Sequence, residues 1–194
     1  MHLFHAVALY NYYAHARRQS GIAVDQKQLV SEVVLAAISI PSKCIEYEMP
    51  KKQFTQNWEL LSTTGITMTK EVLIHNVKNG LYLKLCDKNI KELFSLFTGG
   101  KNMLVFSKTA AKCFKNLEGN EELKKFLPLV EENLIAHLIE RISKLYKTMS
   151  FDSFKKLTGF LNFEKCENQI LYSNTQGVSI TLNMDTNMLI FGHE

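Results

Sequence analysis

The chain has 194 residues, 46% apolar and 22% charged, with 9 glycines and 3 prolines. This composition excludes disorder and collagen-like repetition, and leaves room for one sizeable core or a helical module with a small terminal domain. The net charge of +4 is spread too thinly over both halves to mark a nucleic-acid protein by itself.

The longest apolar run, Val33 to Ile38, cannot span a bilayer, and no charged start leads into an apolar stretch, so no membrane partner is expected and the chain reads as cytoplasmic. Cys44, Cys86, Cys113 and Cys166 have no paired spacing and read as buried reduced thiols rather than a disulfide framework or a zinc site.

Leu3 to Ala16 is apolar almost all round and starts without a capping residue, as if cut from something longer. Asp25 and Gln28 form a capping box for a helix carrying Leu29, Val33, Ala36, Ala37 and Ile40, which Pro41 stops. Two such helices in succession need neighbours on several sides, and one neighbour is expected to lie before residue 1. After a lapse from Ser42 to Pro50, Phe54, Trp58 and Leu61 predict a short helix ended by Gly65. Thr67 or Thr69 caps the next, which Asn79 and Gly80 close.

Leu81 to Cys86 alternates like a strand, but Ile90, Leu93, Phe94 and Phe97 follow directly at helical spacing, and helix is the expectation. Past Gly99 and Gly100, the residues Met103, Phe106, Ala110, Cys113, Phe114 and Leu117 share one helical face, and Gly119 ends it. Residues 1–126 therefore read as stacked helical hairpins without a countable period.

Behind Pro128 a long helix is predicted, with Ile135, Leu138, Ile139, Ile142, Leu145, Tyr146 and Met149 as one apolar stripe. Ser150 caps a short helix bearing Phe151, Phe154 and Leu157, which Gly159 ends. A second begins near Asn162 and turns Phe163, Cys166, Ile170 and Leu171 inward. Val178, Ile180, Leu182 and Met184 then alternate with Ser179, Thr181 and Asn183. Asp185, Thr186 and Asn187 turn the chain into a second strand, Met188 to Phe191. Helix, two short helices and a ribbon make a winged helix over residues 127–194. The fold class is mainly α: a helical bundle of stacked hairpins capped by a C-terminal winged helix with a small β-hairpin.

No catalytic spacing is present: there is no nucleophile elbow, phosphate loop or zinc-protease motif, so the chain reads as no enzyme and no cofactor is expected. His2 and His5 lack an acidic or thiol partner nearby, and His75 and His137 stand alone in their helices. Lys101, Lys108, Lys112 and Lys115 fall within a sector of ~60° opposite the apolar face, a geometry that could follow an RNA backbone. A solvated outer face produces the same pattern, and no aromatic is interleaved for stacking. The last short helix carries Glu164 and Glu167 against Lys165, so groove reading in the usual winged-helix mode is disfavoured and protein contact is expected.

These features resemble the PCI domain, the scaffold module of the proteasome lid, the signalosome and translation initiation factor three. More narrowly, LFHAVALYNYYAHAR (Leu3 to Arg17), SEVVLAAISIP (Ser31 to Pro41), FLPLVEENLIAHLIERISKLYKTMSFDSFKKLTGFLNF (Phe126 to Phe163) and the closing LIFG resemble the family of the largest subunit of the eukaryotic factor. Residues 42–116 depart from that pattern, and Asn183 stands where the family places Asp before the wing turn. The resemblance implies a non-enzymatic scaffold fragment of a longer protein. Its PCI domain would pair with another PCI subunit, one like the factor's c subunit, and the assembly would sit on the small ribosomal subunit, with RNA or mRNA as a further partner. The alternatives are a PCI scaffold of the lid or signalosome, and an RNA-binding helical module.

The partner surface is expected on the hairpin, at Ser179, Thr181, Asn183 and Asn187. A two-stranded ribbon leaves its outer edges unpaired, and here no charge or proline blocks them between Val178 and Phe191 apart from Asp185 in the turn. On that reading a proline at Thr181 removes an edge donor.

Overall fold

The computed structural model describes residues 2–18, 25–41, 69–99, 102–159, 163–175 and 178–193. The helix expected around Phe54, Trp58 and Leu61, together with Cys44, Thr67 and Lys101, lies outside the described residues. The elements are α1 (His2–Arg18), α2 (Gln26–Ile38), α3 (Lys70–Asn79), α4 (Tyr82–Leu85), α5 (Lys88–Thr98), α6 (Met103–Leu117), α7 (Glu121–Lys124) and α8 (Leu127–Leu145). They continue with β1 (Thr148–Ser150), α9 (Phe151–Leu157), α10 (Phe163–Thr175), β2 (Val178–Asn183) and β3 (Met188–His193).

Helix α2 is the hub of the helical part. Every residue from Leu29 to Ile38 except Glu32 is buried, and α1, α3, α4, α5, α7 and α8 all pack on it. Apolar and small side chains on nearly every face past Gln28 allow that packing, because there only Glu32 needs water. Asp25 caps it by accepting from the Gln28 amide at 3.1 Å. The capping box is only half made, since the Gln28 side chain donates to Glu32 and accepts from Asn120, which caps α7. Ile40 lies just past the helix end and is buried all the same.

Thr69 caps α3 through the Val72 amide, and Leu81 to Cys86 forms the short helix α4 rather than a strand. Tyr82 on α4 stacks on Tyr10 and meets Tyr13 of α1, which holds the two elements together. In α5 and α6 the helical spacing is realised: Ile90, Leu93, Phe94, Phe106, Ala110, Cys113 and Leu117 are buried.

The order α8, β1, α9, α10, β2, β3 is a winged helix, with one departure from the sequence expectation. The sheet has three strands in the order β1-β3-β2, so the wing is not a two-stranded ribbon. Helix α8 ends at Leu145, and Tyr146 turns extended at φ −126° and ψ 133°. The apolar stripe therefore stops at Ile142 as a helical feature. Leu145 and Tyr146 are exposed, and Met149 is buried from a strand, where it pairs with Leu189. Strand pairing with β3 satisfies backbone groups that another helical turn would have left at the sheet edge.

Ser150 caps α9 through the Ser153 amide at 3.2 Å, as its position before Phe151 predicts. On α10, Cys166 is buried, while Leu171 points outward and is 64% exposed, against expectation. One continuous buried core runs from Ala6 on α1 to Phe191 on β3.

Candidate partner-binding surface

The wing is built by a four-residue turn, Met184 to Asn187, between β2 and β3. The Asn183 side-chain oxygen accepts from the Asp185 amide at 3.0 Å and the Thr186 amide at 3.1 Å, an Asx turn that an aspartate would make equally well. This accounts physically for Asn at that position. Asn187 takes the left-handed conformation at φ 53°, which Asn tolerates better than most residues.

The four hairpin residues thus divide. Ser179 and Thr181 are exposed, Asn187 is exposed at the turn, and Asn183 is half-buried with its oxygen committed to the turn.

The direction of the backbone groups follows from two ladder bonds. Phe191 N–H donates to Lys147 O, and Phe151 N–H donates to Asn187 O, so the odd residues of β3 face β1. In an antiparallel ladder the even residues, Met188, Ile190 and Gly192, then face β2. Their partners are Asn183, Thr181 and Ser179. The amides of those three residues are spent inside the sheet. A proline at 181 would break the Thr181–Ile190 pair, so it cannot serve as the edge test that the sequence suggests. Leu182 is a residue of β2 whose amide faces away from β3.

The side chains alternate in the same register. Met149, Leu189, Ile180 and Phe191 lie on the inner face and are buried, while Leu182, opposite Leu189 on the same face, is exposed. The outer face carries the rows Thr148–Ile190–Thr181 and Ser150–Met188–Asn183, with Gly192 beside Ser179. Ile190 and Thr148, which sequence reasoning did not single out, are both exposed there. The alternation of Met188 to Phe191 could have marked Ile190, but no sequence signal marks Thr148 until β1 is known to be a strand.

On α10, Lys165 reaches back to Glu131 of α8 and forms an ion pair. Its charge is thereby withdrawn from the face that carries Glu164 and Glu167, both exposed.

Lys108, Lys112 and Lys115 are exposed along α6, opposite Phe106, Ala110 and Cys113, and none makes an ion pair among the described residues. Lys115 lines a cleft of about 360 Å³ between α6, α7 and α8 together with Glu118 and Glu131.

Of the remaining candidates, His5 stacks on Phe126 at 5.9 Å. His137 is packed against Phe97 at 5.8 Å, and burial, reinforced by the nearby Arg141, holds its pKa below the usual histidine value. Cys86, Cys113 and Cys166 are buried thiols, and burial together with Asp87 pushes the Cys86 pKa up to about 11. No helix among the described residues is long and apolar enough to cross a membrane.

The family model described as "eIF3a, PCI domain, TPR-like region" matches residues 1–105. Among curated relatives, the A subunit of eukaryotic translation initiation factor 3 from Dictyostelium discoideum is 26% identical over 204 residues, covering 99% of this chain and 19% of that protein. The same subunit from Schizosaccharomyces pombe is 24% identical over 207 residues, with 100% and 22% covered. That of Monosiga brevicollis is 22% identical over 193 residues, with 94% and 18% covered. The chain spans about a fifth of the length of these relatives.

Proposed function

Because this chain belongs to the eIF3a PCI-domain family, we propose that it is the PCI segment of a non-enzymatic eIF3 scaffold protein. In this reading its winged helix pairs with the PCI domain of another subunit, one like the factor's c subunit, and the assembly works on the small ribosomal subunit in the cytoplasm. Residues 1–126 supply the helical support and residues 127–194 the docking module.

The observation that carries the reading is the contrast on the winged helix itself. Its last helix exposes Glu164 and Glu167 while Lys165 is held by Glu131, which opposes phosphate binding in the usual winged-helix mode. The hairpin beside it offers Ser179, Thr181 and Asn187 exposed, with Asp185 as its only acidic residue. Such a surface suits protein contact, in which charges at the centre are costly to desolvate.

The test is capture of the purified PCI domain of the c subunit by the chain, followed by its Leu182→Pro variant. Proline there removes an amide that faces away from β3 and leaves the β2–β3 bonds intact. Tight capture by the parent supports the pairing, and loss of capture in the variant locates it on the β2 side of the wing. Absence of capture by the parent overturns it.

A second reading, RNA contact along Lys108, Lys112 and Lys115 with Lys101, is favoured by the exposure of the three described lysines. A filter-binding titration against salt checks it, since about four phosphate contacts give a log-log slope near −3 with single strands.

A further inference from the structure

The outer face of the wing sheet spreads over three strands with no charged side chain on the described rows: Thr148–Ile190–Thr181, Ser150–Met188–Asn183, and Gly192 beside Ser179. At its centre Ile190 is 41% exposed, a large apolar side chain flanked by hydroxyls on both neighbouring strands. Met184, at the tip of the same wing, is 82% exposed.

We infer that this outer face, rather than the β2 edge alone, is the docking surface for the partner PCI domain, with Ile190 as its anchor and Thr148 on the far strand inside the footprint. The inference rests on the proposed pairing and deepens it.

Three considerations support it. A stable interface covers about 800 Å² on each partner, contributed by roughly 20–30 residues, which one six-residue strand edge cannot supply. The partner must therefore also cover a surface contiguous with the hairpin. The outer face adjoins the edge through Ser179 and Thr181, and the inner face is filled by the core everywhere but at Leu182.

The second consideration is charge. A partner that laid a charged side chain over Ile190 would lose hydration with no opposite charge among these rows to replace it. The occupant is therefore an uncharged, apolar-centred surface of the other winged helix. The third is anchor geometry: binding energy concentrates in a few large side chains near the centre of a footprint, surrounded by contacts that exclude water. Ile190 between Thr148 and Thr181 has that arrangement.

Thr148 gives the discriminating experiment, because β1 lies two strand spacings, about 10 Å, from β2. A partner added only along β2 would not feel a change there. Capture of the c subunit's PCI domain is titrated with the parent, Ile190→Thr, Thr148→Lys and Leu182→Pro, each variant first checked for parental circular dichroism and melting temperature. Ile190→Thr keeps a β-branched residue and removes apolar volume, and lysine is well tolerated on an edge strand.

Both Ile190→Thr and Thr148→Lys are expected to weaken capture at least tenfold. If both bind as tightly as the parent while Leu182→Pro does not, docking is by the edge and the face is excluded, with the pairing itself intact. If the parent fails to bind, the pairing and this inference fall together. Sedimentation of the parent alone is the companion measurement: a dimer that Thr148→Lys dissolves would assign the face to a second copy of the chain and overturn the inference.

Discussion

The Asn133 side-chain amide on α8 donates to the main-chain carbonyl of Ile38 at the end of α2, at 3.0 Å and out of contact with solvent. The last carbonyls of a helix lack intrahelical partners and carry its negative dipole end, so an amide donor brought from 95 residues away replaces water there. Lys70 from α3 donates to Ile40 O beside it, at 2.6 Å. Asn133→Ala leaves a buried acceptor unsatisfied and is expected to cost about 1–3 kcal/mol. Glu132→Ala, one residue earlier on the exposed side, is expected to stay within about 0.5 kcal/mol. Urea midpoints at constant slope measure both.

Ile142 is the last buried apolar residue of α8 and is fully buried, whereas Lys144 is exposed and pairs with Glu140 across one helical turn. Ile142→Ala is expected to cost roughly 2–5 kcal/mol, through lost burial and the cavity left behind. Lys144→Ala and Leu145→Ala are each expected to change stability by no more than about half a kcal/mol. Equal costs at 142 and 145 in thermal unfolding would contradict the helix end at Leu145.

The turn chemistry of the wing makes a finer prediction. Asn183→Asp preserves the acceptor for the Asp185 and Thr186 amides and should be nearly silent, while Asn183→Ala should cost about 1 kcal/mol. Asn187→Val, forced to φ 53°, should cost about 1–2 kcal/mol more than Asn187→Gly. Chemical denaturation of the four variants tests the order.

His137 supplies the pH dependence. Burial is the main cause of its lowered pKa, and Arg141, Lys70 and Lys144 act in the same direction against Glu140. Between that lowered value and the unfolded value of 6.5, the unfolded chain binds the extra proton. Its contribution to stability is therefore complete above pH 6.5 and declines as the pH falls toward the folded value. Melting temperatures taken from pH 7.5 down to 5.5 should drop in the parent, and the drop should be shallower in His137→Gln.

Most of the helical architecture is legible because its signals are local. Asp25, Thr69 and Ser150 sit where caps belong, and the alternating four- and three-residue spacing of Phe106, Ala110, Cys113 and Leu117 is that of a helix face. The wing misleads where a long-range pairing decides. Met149 falls at a helical offset from Ile142, and only its partner Leu189, 40 residues later, turns it into a strand residue. Leu171 likewise fits an inward helical position, yet it ends up exposed. The candidate surface is half legible for the same reason. Ser179 and Thr181 show through the alternation of β2, but the phase of the ladder, and Thr148 across the sheet from them, depend on β3 lying in the middle.

That central position sets an order of events during synthesis. The strand made last is the one that both others pair with, so β1 and β2 leave the ribosome without a ladder partner in this sheet and wait for Met188 to His193. Of the two pairings, β2 with β3 closes across a short turn, whereas β1 with β3 is long-range and forms late, because the chain between those strands has to close before any bond repays it. Any nascent chain that stalls before Met188 exposes two unpaired strands and the apolar inner face of Met149 and Ile180, a sticky intermediate that only the last few residues of the sheet can seal.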